Sequence, residues 1–371
     1  VIDFRYHVVS LISVFLALAV GIVLGAGPLK ESLGAQLAQQ VEQLRTEKET
    51  LRATADQRTR ENDAMSSFIV KSGPQLLGDR LNDQTVVLVA DDQSIRKPVD
   101  EIDTLIQGAG GRVPVRLVVT QKLWDPAQES ARTSALASIH QKVPSLSLPS
   151  DSTSRALATA IGIALGGGTA IDLPTRQSIL NTLAEQGMVA IDGNLTGIPD
   201  GAVYATADPA QFQVPGDDSQ TAAKRASSLG LVQTSLVTRL STDRHPLVVA
   251  GVSPASDDVG LLRTLRTDET YIGVSTVDGL DRADGQVVST MALVERLRGR
   301  AGDYGTSTGA RGRLPDLATL PAPSNHPDAD KSQPNPRGED GKAQDRTGGE
   351  NPPGSAEPSG HGTGATSGTT P

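Results

Sequence analysis

The chain has 371 residues, a length that accommodates two to three domains. Charged residues make up 21% and the formal net charge is −9, which excludes a basic nucleic-acid binder, while an aromatic content of 2% leaves no material for base-stacking platforms or for the aromatic girdles of a transmembrane β-barrel. There is no cysteine, so disulfides, thiolate metal sites, iron–sulfur clusters and cysteine nucleophiles are excluded.

The first element is a run without charge, VVSLISVFLALAVGIVLGAGPL, residues 8–29, whose only hydroxyls are Ser10 and Ser13. At ~1.5 Å per residue a helix of this length spans the ~30 Å hydrocarbon core of a bilayer. A soluble core helix would have a polar stripe, and this run has none. A cleaved signal peptide fits poorly as well. Arg5 is the only cation ahead of the run, the run exceeds the usual ~7–15 apolar residues, and Val23-Leu24-Gly25 is a poor cleavage site. The expectation is an uncleaved signal anchor over 8–29, with residues 1–7 as a short cytoplasmic N-terminus. Arg5 and Lys30 balance the positive-inside count, so the export of the body is inferred from the shortness of the N-terminal flank alone.

Residues 33–70 read as a coiled coil. Leu37, Leu44 and Leu51 fall seven apart; taken as d positions, they put Val41, Lys48 and Ala55 at a, and Arg58 and Met65 at the next d positions. Charged residues such as Glu42, Arg45, Glu47, Glu49 and Arg52 lie between, which is the pattern of a narrow seam and predicts a parallel homodimer, the alternative being a single amphipathic stalk helix lying on its own domain. Lys48 and Arg58 weaken the seam, although a polar seam residue can fix register. Gly73-Pro74 is expected to end the helix.

Residues 84–305 read as α/β. Short apolar runs rich in β-branched residues, Thr85–Ala90, Val113–Thr120, Met188–Ile191, Leu247–Val252 and Tyr271–Val277, look buried on both faces, as parallel strands are. Helical patterns alternate with them. Pro98 opens a stripe of Val99, Ile102, Leu105 and Ile106 that stops at Gly108. Pro174 opens one with Ile179, Leu180 and Leu183 that stops at Gly187. Ser256, followed by Asp257 and Asp258, opens one with Val259, Leu262 and Leu265, and a fourth carries Val287, Met291, Val294 and Leu297. The expected fold is α/β: a Rossmann-like, mostly parallel, doubly wound domain. Residues 315–371 change character: 19 of 57 are Gly or Pro, none is aromatic, and acids outnumber bases by 8 to 4, so this tail is expected to be disordered.

Open parallel sheets bind ligands at the carboxyl ends of their strands, so the acids there are the ligand candidates. Asp91 and Asp92 follow the first strand, Asp192 follows Met188–Ile191, Asp257 and Asp258 follow the Leu247 strand, and Asp278 follows the Tyr271 strand. Together they could form an acidic crevice for a hard cation, although an Asp after a strand more often caps the next helix. Asp91, Asp92, Asp192 and Asp278 are retained as candidate metal ligands. No phosphate loop is present: Gly108-Ala109-Gly110-Gly111 lies between a helix and a strand, the wrong order for a dinucleotide fingerprint, and Gly166-Gly167-Gly168 ends an apolar helix around 161–165. The soft-metal ligands His7, His140, His245, His326, His361, Met65, Met188 and Met291 are scattered along the chain, with no two at helix or hairpin spacing. No catalytic residue and no bound cofactor are expected, and the chain is read as a non-enzyme.

Two stretches carry a resemblance. DFRYHVVSLISVFLALAVGIVLGAGPL, residues 3–29, runs straight into the leucine heptads, and STVDGLDRADGQVVSTMALVERLRGRAGDYG, residues 275–305, closes the α/β body. Together they resemble the actinobacterial MctB family of copper transporters, to which the cell-division protein SteB is also similar; the likeness covers roughly residues 2–314. The family pattern carries a His before the final Tyr-Gly, where this chain has Asp303, and that departure counts against a metal site. The resemblance implies either copper efflux and homeostasis, with an outer-membrane pore, or a SteB-like scaffold in the cell envelope that partners a SteA-like membrane protein in the control of peptidoglycan hydrolysis. Copper would then be a transported ion without a defined site. The residues fit a scaffold better: the strands are few and continuously apolar, and the single membrane segment has no polar stripe to line a water path. The expected protein is therefore a single-pass cytoplasmic membrane protein with an extracytoplasmic body, assembled through Leu37, Val41, Leu44 and Leu51, and without a nucleic-acid partner.

Overall fold

The computed structural model describes residues 4–168, 171–253 and 260–319, and of residues 26–35 it describes the backbone alone. The chain opens with one continuous helix, α1 (Phe4–Leu77). Its window Phe4–Gly25 has a mean hydropathy of 2.7 and is nowhere buried against the rest of the chain. Among the described residues it is the one helix long and apolar enough to cross a membrane. The helix does not stop at Gly73-Pro74. Proline removes one N–H from the last turn, but Gly73 is pressed onto the body, where a Cβ would lie 2.7 Å from Leu105 Cδ2 and 3.1 Å from Val287 Cγ2. That packing holds the helix together for one more turn, and Gly78, at φ +52°, ends it with its N–H donating to the Pro74 carbonyl at 2.9 Å.

Leu77 and Leu81 are fully buried and join α1 to the body. From there strand and helix alternate: β1 (Thr85–Ala90), α2 (Arg96–Gly108), β2 (Arg112–Val119), then α3 (Gln121–Trp124), α4 (Glu129–Lys142), α5 (Thr153–Leu165) and α6 (Leu173–Glu185). After these come β3 (Val189–Gly193), β4 (Gly201–Thr206), α7 (Ser219–Leu240), β5 (Leu247–Gly251), α8 (Leu261–Thr267), β6 (Ser275–Asp278), α9 (Ala283–Leu297) and β7 (Asp303–Tyr304). The seven strands form one sheet in the order β3-β2-β1-β4-β5-β6-β7. All neighbours are parallel except β2 and β3. Helices α2 and α9, with the end of α1, cover one face; α7 and α5, backed by α4 and α6, cover the other. The expected mostly parallel, doubly wound Rossmann-like sheet is the observed one.

Each predicted strand run contains a strand, with shifts that have local causes. Tyr271 lies outside β6 because Asp268 accepts from the Thr270 N–H at 2.9 Å and holds Glu269–Tyr271 in a helical turn. The run at Met188 becomes β3, which is antiparallel. Its reversed direction delivers the chain to the starting edge of the parallel strands. There Asp200 exchanges hydrogen bonds with Thr85, N–H to carbonyl at 2.8 Å and carboxylate to N–H at 2.7 Å, and β4 begins. The central strand β4, GAVYAT, is buried at every position yet carries too few large apolar residues to stand out in the sequence.

Helix α2 begins at Arg96, two residues before Pro98, because an N–H in the first turn has no intrahelical partner to lose. Asp172 caps α6 by accepting from the Thr175 N–H at 3.0 Å, with Pro174 in the first turn and Gly187 just past the end at φ +69°. Val287 and Val294 of α9 are buried, and Met291 and Leu297 pack against them at the core boundary. Ser256, Asp257, Asp258 and Val259 lie outside the described residues, while Leu262 and Leu265 of α8 are buried. The ordered body runs on past residue 305. Gly305 donates to Gly312 and Arg311 to Asp303, Leu317 is buried, and its carbonyl accepts from Arg80 Nη1 at 3.2 Å. The described chain thus includes the first five residues of the predicted disordered tail; residues 320–371 lie outside it.

Candidate functional site

Two regions compete for the role of functional site: the carboxyl edge of the sheet and the exposed face of α1. In the strand order, neighbours reverse direction of travel along the sheet between β1 and β4, and open α/β sheets bind ligands at that switch point. Asp91 sits there, directly after β1. Its carboxylate is turned inward and fully engaged: it accepts from the Ala207 N–H at 2.9 Å, from Gln233 Nε2 at 2.7 Å and from the Tyr204 hydroxyl at 3.4 Å. Burial pushes the Asp91 carboxyl up to about 6, against the pull of its hydrogen bonds with Thr206, Ala207 and Gln233. The chain's own side chains thus fill the crevice and tie β1 to β4 and α7. Asp92 caps the helical turn at 93–95 by accepting from the Ser94 N–H at 2.8 Å, the local role that Asp after a strand commonly takes.

Asp278 closes β6 at the same level of the sheet, but ~14 Å from Asp91, because three strand spacings separate β1 from β6. Its carboxylate accepts from the N–H groups of Thr306 at 2.8 Å and Ser307 at 3.0 Å, and from Arg266 Nη2 at 3.2 Å. Burial raises its pKa, but those two N–H groups and the Arg266 guanidinium outweigh it and hold the carboxyl below its ordinary value. Asp192 is not at this edge. Antiparallel β3 brings it beside Arg116, level with Leu88 in mid-strand, where it ion-pairs with Arg116, which also bonds Asp103 at 2.9 Å. The four acids are therefore not brought together, and the described residues contain no group of three or more His, Asp or Glu able to hold a metal ion.

The terminal sequence motif has a structural meaning that its residues alone did not disclose. Gly279 turns at φ +83°, and a Cβ on Gly285 would lie 2.0 Å from the Gly279 carbonyl oxygen, so α9 can start only against a glycine. Gly305, at φ +128°, lies where a Cβ would come within 2.2 Å of the Asp278 carboxyl. Arg266 ties the same corner, donating to Thr276 Oγ1 at 2.8 Å and to the Tyr304 carbonyl at 2.9 Å, and the Tyr304 hydroxyl donates to buried Glu295. Asp303, at the position of the expected His, accepts from Thr276 Oγ1 at 2.7 Å and is 2% exposed. The DGL and YG stretches are two halves of one clasp. Arg266, Glu295, Tyr204 and Gln233 were not singled out by sequence, since an isolated polar residue in a helix or strand carries no signal of burial.

Gly166-Gly167-Gly168 does end α5, as expected, and its carbonyls point inward. Buried Arg176 donates to Ala164 at 2.9 Å, to Gly166 at 2.6 Å and to Gly168. A phosphate cradle would need N–H groups directed outward. His245 packs against Gly167. Its Nε2 is buried and has no hydrogen-bond partner among the described residues, and burial together with Arg296 and Arg176 pushes its pKa down to about 4. A neutral imidazole in a shell of cations is a packed core group and not part of a ligand cluster.

The face of α1 is different. Leu37, Val41, Leu44, Leu51 and Met65 are each about half to two-thirds exposed and lie along one seam, on a helix that continues an apolar, fully exposed segment. A long helix, apolar at its start and exposed along its seam, thus carries a Rossmann-like body. The chain belongs to the MctB family, whose model, described as "Copper transport outer membrane protein, MctB", matches residues 1–315. It is 26% identical over 325 residues to the copper transporter MctB of Mycobacterium tuberculosis (strain ATCC 25618 / H37Rv) and to that of Mycobacterium bovis, covering 83% of this chain and 98% of each relative. The copper transporter MctB of Mycobacterium leprae is 26% identical over 318 residues.

Proposed function

We propose that this chain serves copper efflux and homeostasis in the cell envelope as a single-pass, non-catalytic scaffold that assembles through α1. The copper role comes from what its relatives are called; the mechanism comes from the helix. The observation that carries it is the unbroken run from the apolar segment Phe4–Gly25, through an exposed leucine seam, to the buried joint at Leu77 and Leu81. A rod of about 74 residues fixed at one end in a bilayer and at the other in a packed core holds the body ~70 Å or more from the membrane centre, by a rise of ~1.5 Å per residue. In this reading the first residues are cytoplasmic and the body is extracytoplasmic. Two chains associate at Leu37, Val41, Leu44 and Leu51, and the carboxyl-edge acids stabilise the fold and take no part in turnover.

A second reading has one observation in its favour: the same exposed seam is suited to a helix of another membrane protein. In that reading the chain acts as a SteB-like scaffold with a SteA-like partner in the control of peptidoglycan hydrolysis. One experiment separates the two. A deletion strain is complemented with the wild-type chain or with Leu44→Asp plus Leu51→Asp, and cell copper and septum placement are measured. The copper reading expects raised copper in the deletion, restored by the wild type and not by the double variant. Unchanged copper with chained or misplaced septa selects the second reading, and no change in either overturns both.

A further inference from the structure

We infer that two copies of this chain pair along α1 parallel and in register, fixed there by Glu47, Lys48, Arg52, Arg58 and Asn62; this rests on the scaffold reading above. The seam established by Leu37, Val41, Leu44 and Leu51 continues with Ala55 and Asn62 at a and Arg58 and Met65 at d, all on an exposed helical face. The seam ends there, because the next a residue, Ile69, is turned onto its own body and packs against the core. A second copy is the occupant that fits the seam, and the flanking charges say how it lies.

In this frame Arg45 and Arg52 occupy e and Glu47 and Glu61 occupy g. Parallel, in-register strands bring each g residue to the e residue five places later on the other strand, so Glu47 of each copy meets Arg52 of the other. Antiparallel strands bring e to e and g to g, which would set Arg against Arg and Glu against Glu. Charge sorting of this kind therefore disfavours the antiparallel pair. The seam's own polar residues agree. In a parallel pair an a residue inserts beside the preceding g residue of the other strand, so Lys48 reaches Glu47 of the second copy and its charge is not left unpaired. Arg58 and Asn62 are one turn apart, at d and the following a, which in a parallel pair are also neighbours across the seam. Arg58 can donate to the Asn62 carbonyl of the second copy, and the two Asn62 amides face each other, the arrangement that specifies two strands and a single register at some cost in stability. In the single chain, none of the ion pairs formed among the described residues involves Arg45, Glu47, Lys48, Arg52 or Arg58. The second rod gives Glu47, Lys48 and Arg52 the opposite charges, and Arg58 the acceptor, that the single chain does not.

The chain has no cysteine, so single cysteines in the full-length protein report this geometry directly. On mild oxidation in the native membrane, Leu44→Cys and Leu51→Cys should each give a disulfide-linked dimer, while Thr46→Cys and Ala53→Cys, on the outer face, should not. Linking at the outer positions, or none at the seam, overturns the proposal. Charge reversal tests direction. Glu47→Arg alone and Arg52→Glu alone should each weaken dimerisation of the detergent-solubilised chain roughly five- to tenfold, and the double reversal should recover it. A double variant as weak as the singles overturns the parallel register. Asn62→Val should add trimers to the dimer of the detergent-solubilised chain, read as mass by analytical ultracentrifugation; a species that stays purely dimeric removes Asn62 from the account. If the seam cysteines fail to link while the wild-type chain still restores the deletion strain, the pairing of two copies is wrong and the envelope role stands without self-association. Linked dimers from a chain whose deletion changes neither copper nor septa mean the reverse: the pairing stands and the scaffold function is wrong.

Discussion

The stalk and the body of this molecule treat apolar side chains in opposite ways. Among the described residues, every exposed large hydrophobic lies on α1 except Ile198, Val214, Ile272 and Leu314, while strands β1, β4, β5 and β6 are buried nearly throughout. The body has finished its packing within one chain, whereas α1 leaves its apolar side chains exposed, and in the proposed reading they pack against lipid and another helix. The same apolar side chains therefore make a closed core in one region and an exposed face in the other. The four polar groups of greatest interest in the body, Asp91, Asp278, Arg266 and Arg176, are internal ties, and the charges of α1 are outward-facing.

This contrast is most sharply tested at the clasp. Asp278→Ala leaves the Arg266 guanidinium, with a side chain 2% exposed, without its carboxylate and frees the N–H groups of Thr306 and Ser307. Removing one partner of a buried pair costs about 3–5 kcal/mol. The expected outcome is a body that melts roughly 10 °C or more below wild type, by circular dichroism or scanning calorimetry, and loses protection of residues 303–312 in hydrogen exchange. If Asp278 were chiefly a metal ligand, the loss would be matched by stripping the protein with a chelator, and here chelation is expected to leave the melting curve unchanged.

Two leucines on the same helix give the next comparison. Leu77→Ala, at the fully buried end of α1, should cost the body about 2–5 kcal/mol. Leu44→Ala, about two-thirds exposed on the same helix, should leave the body's melting within about 1 °C while lowering the dimeric fraction. An equal effect of both on the body would mean that α1 folds back and is not a free rod.

How much of this could be read from residues alone follows from the same physics. The uncharged run and the leucine heptads are contiguous and carry no strand pattern, so the long first helix was legible almost to its end. Of the stalk's limits, Gly73-Pro74 misled, because the tertiary contact of Gly73 with Leu105 and Val287 carries the helix past a local stop signal. Strands rich in Val and Ile were legible; β4, built of Gly, Ala, Val, Tyr and Thr, was not, because its burial comes from neighbours on both sides and not from its own composition. Asp91 and Asp92 do follow β1 and Asp278 closes β6, but Asp192 lies inside β3, and which way each faces depends on long-range partners. Ala207 and Gln233 draw Asp91 inward, Thr306 and Arg266 enclose Asp278, and the reversal of β3 removes Asp192 from the edge. Sequence order carries none of these.

The smallest net effect is expected where two buried groups oppose each other. His245 is held down at about 4 by burial and by Arg296 and Arg176, so between pH 6.5 and 4 the unfolded chain takes up a proton that the folded chain does not; stability is lost as the pH falls through that window. Asp91 is pushed up to about 6 by burial, so between pH 6 and 3.8 the folded chain holds a proton that the unfolded chain has released; stability is gained over nearly the same fall. Each contributes about 3 kcal/mol with opposite sign, from ~1.4 kcal/mol for each tenfold change in proton affinity. Wild-type melting should therefore be nearly flat between pH 6 and 4 as far as these two groups decide it. His245→Gln removes one side of the balance, and relative to wild type this variant should gain stability as the pH falls, by roughly 5–10 °C at pH 4 compared with pH 6.5. Asp91→Asn, which keeps an acceptor for the Ala207 N–H, should lose a similar amount over the same range. Because all other titrations are shared with wild type, only the differences between the curves matter. Parallel curves for the two variants would mean that the imidazole and the carboxyl are open to water, and that the body is not the closed counterpart of the exposed stalk.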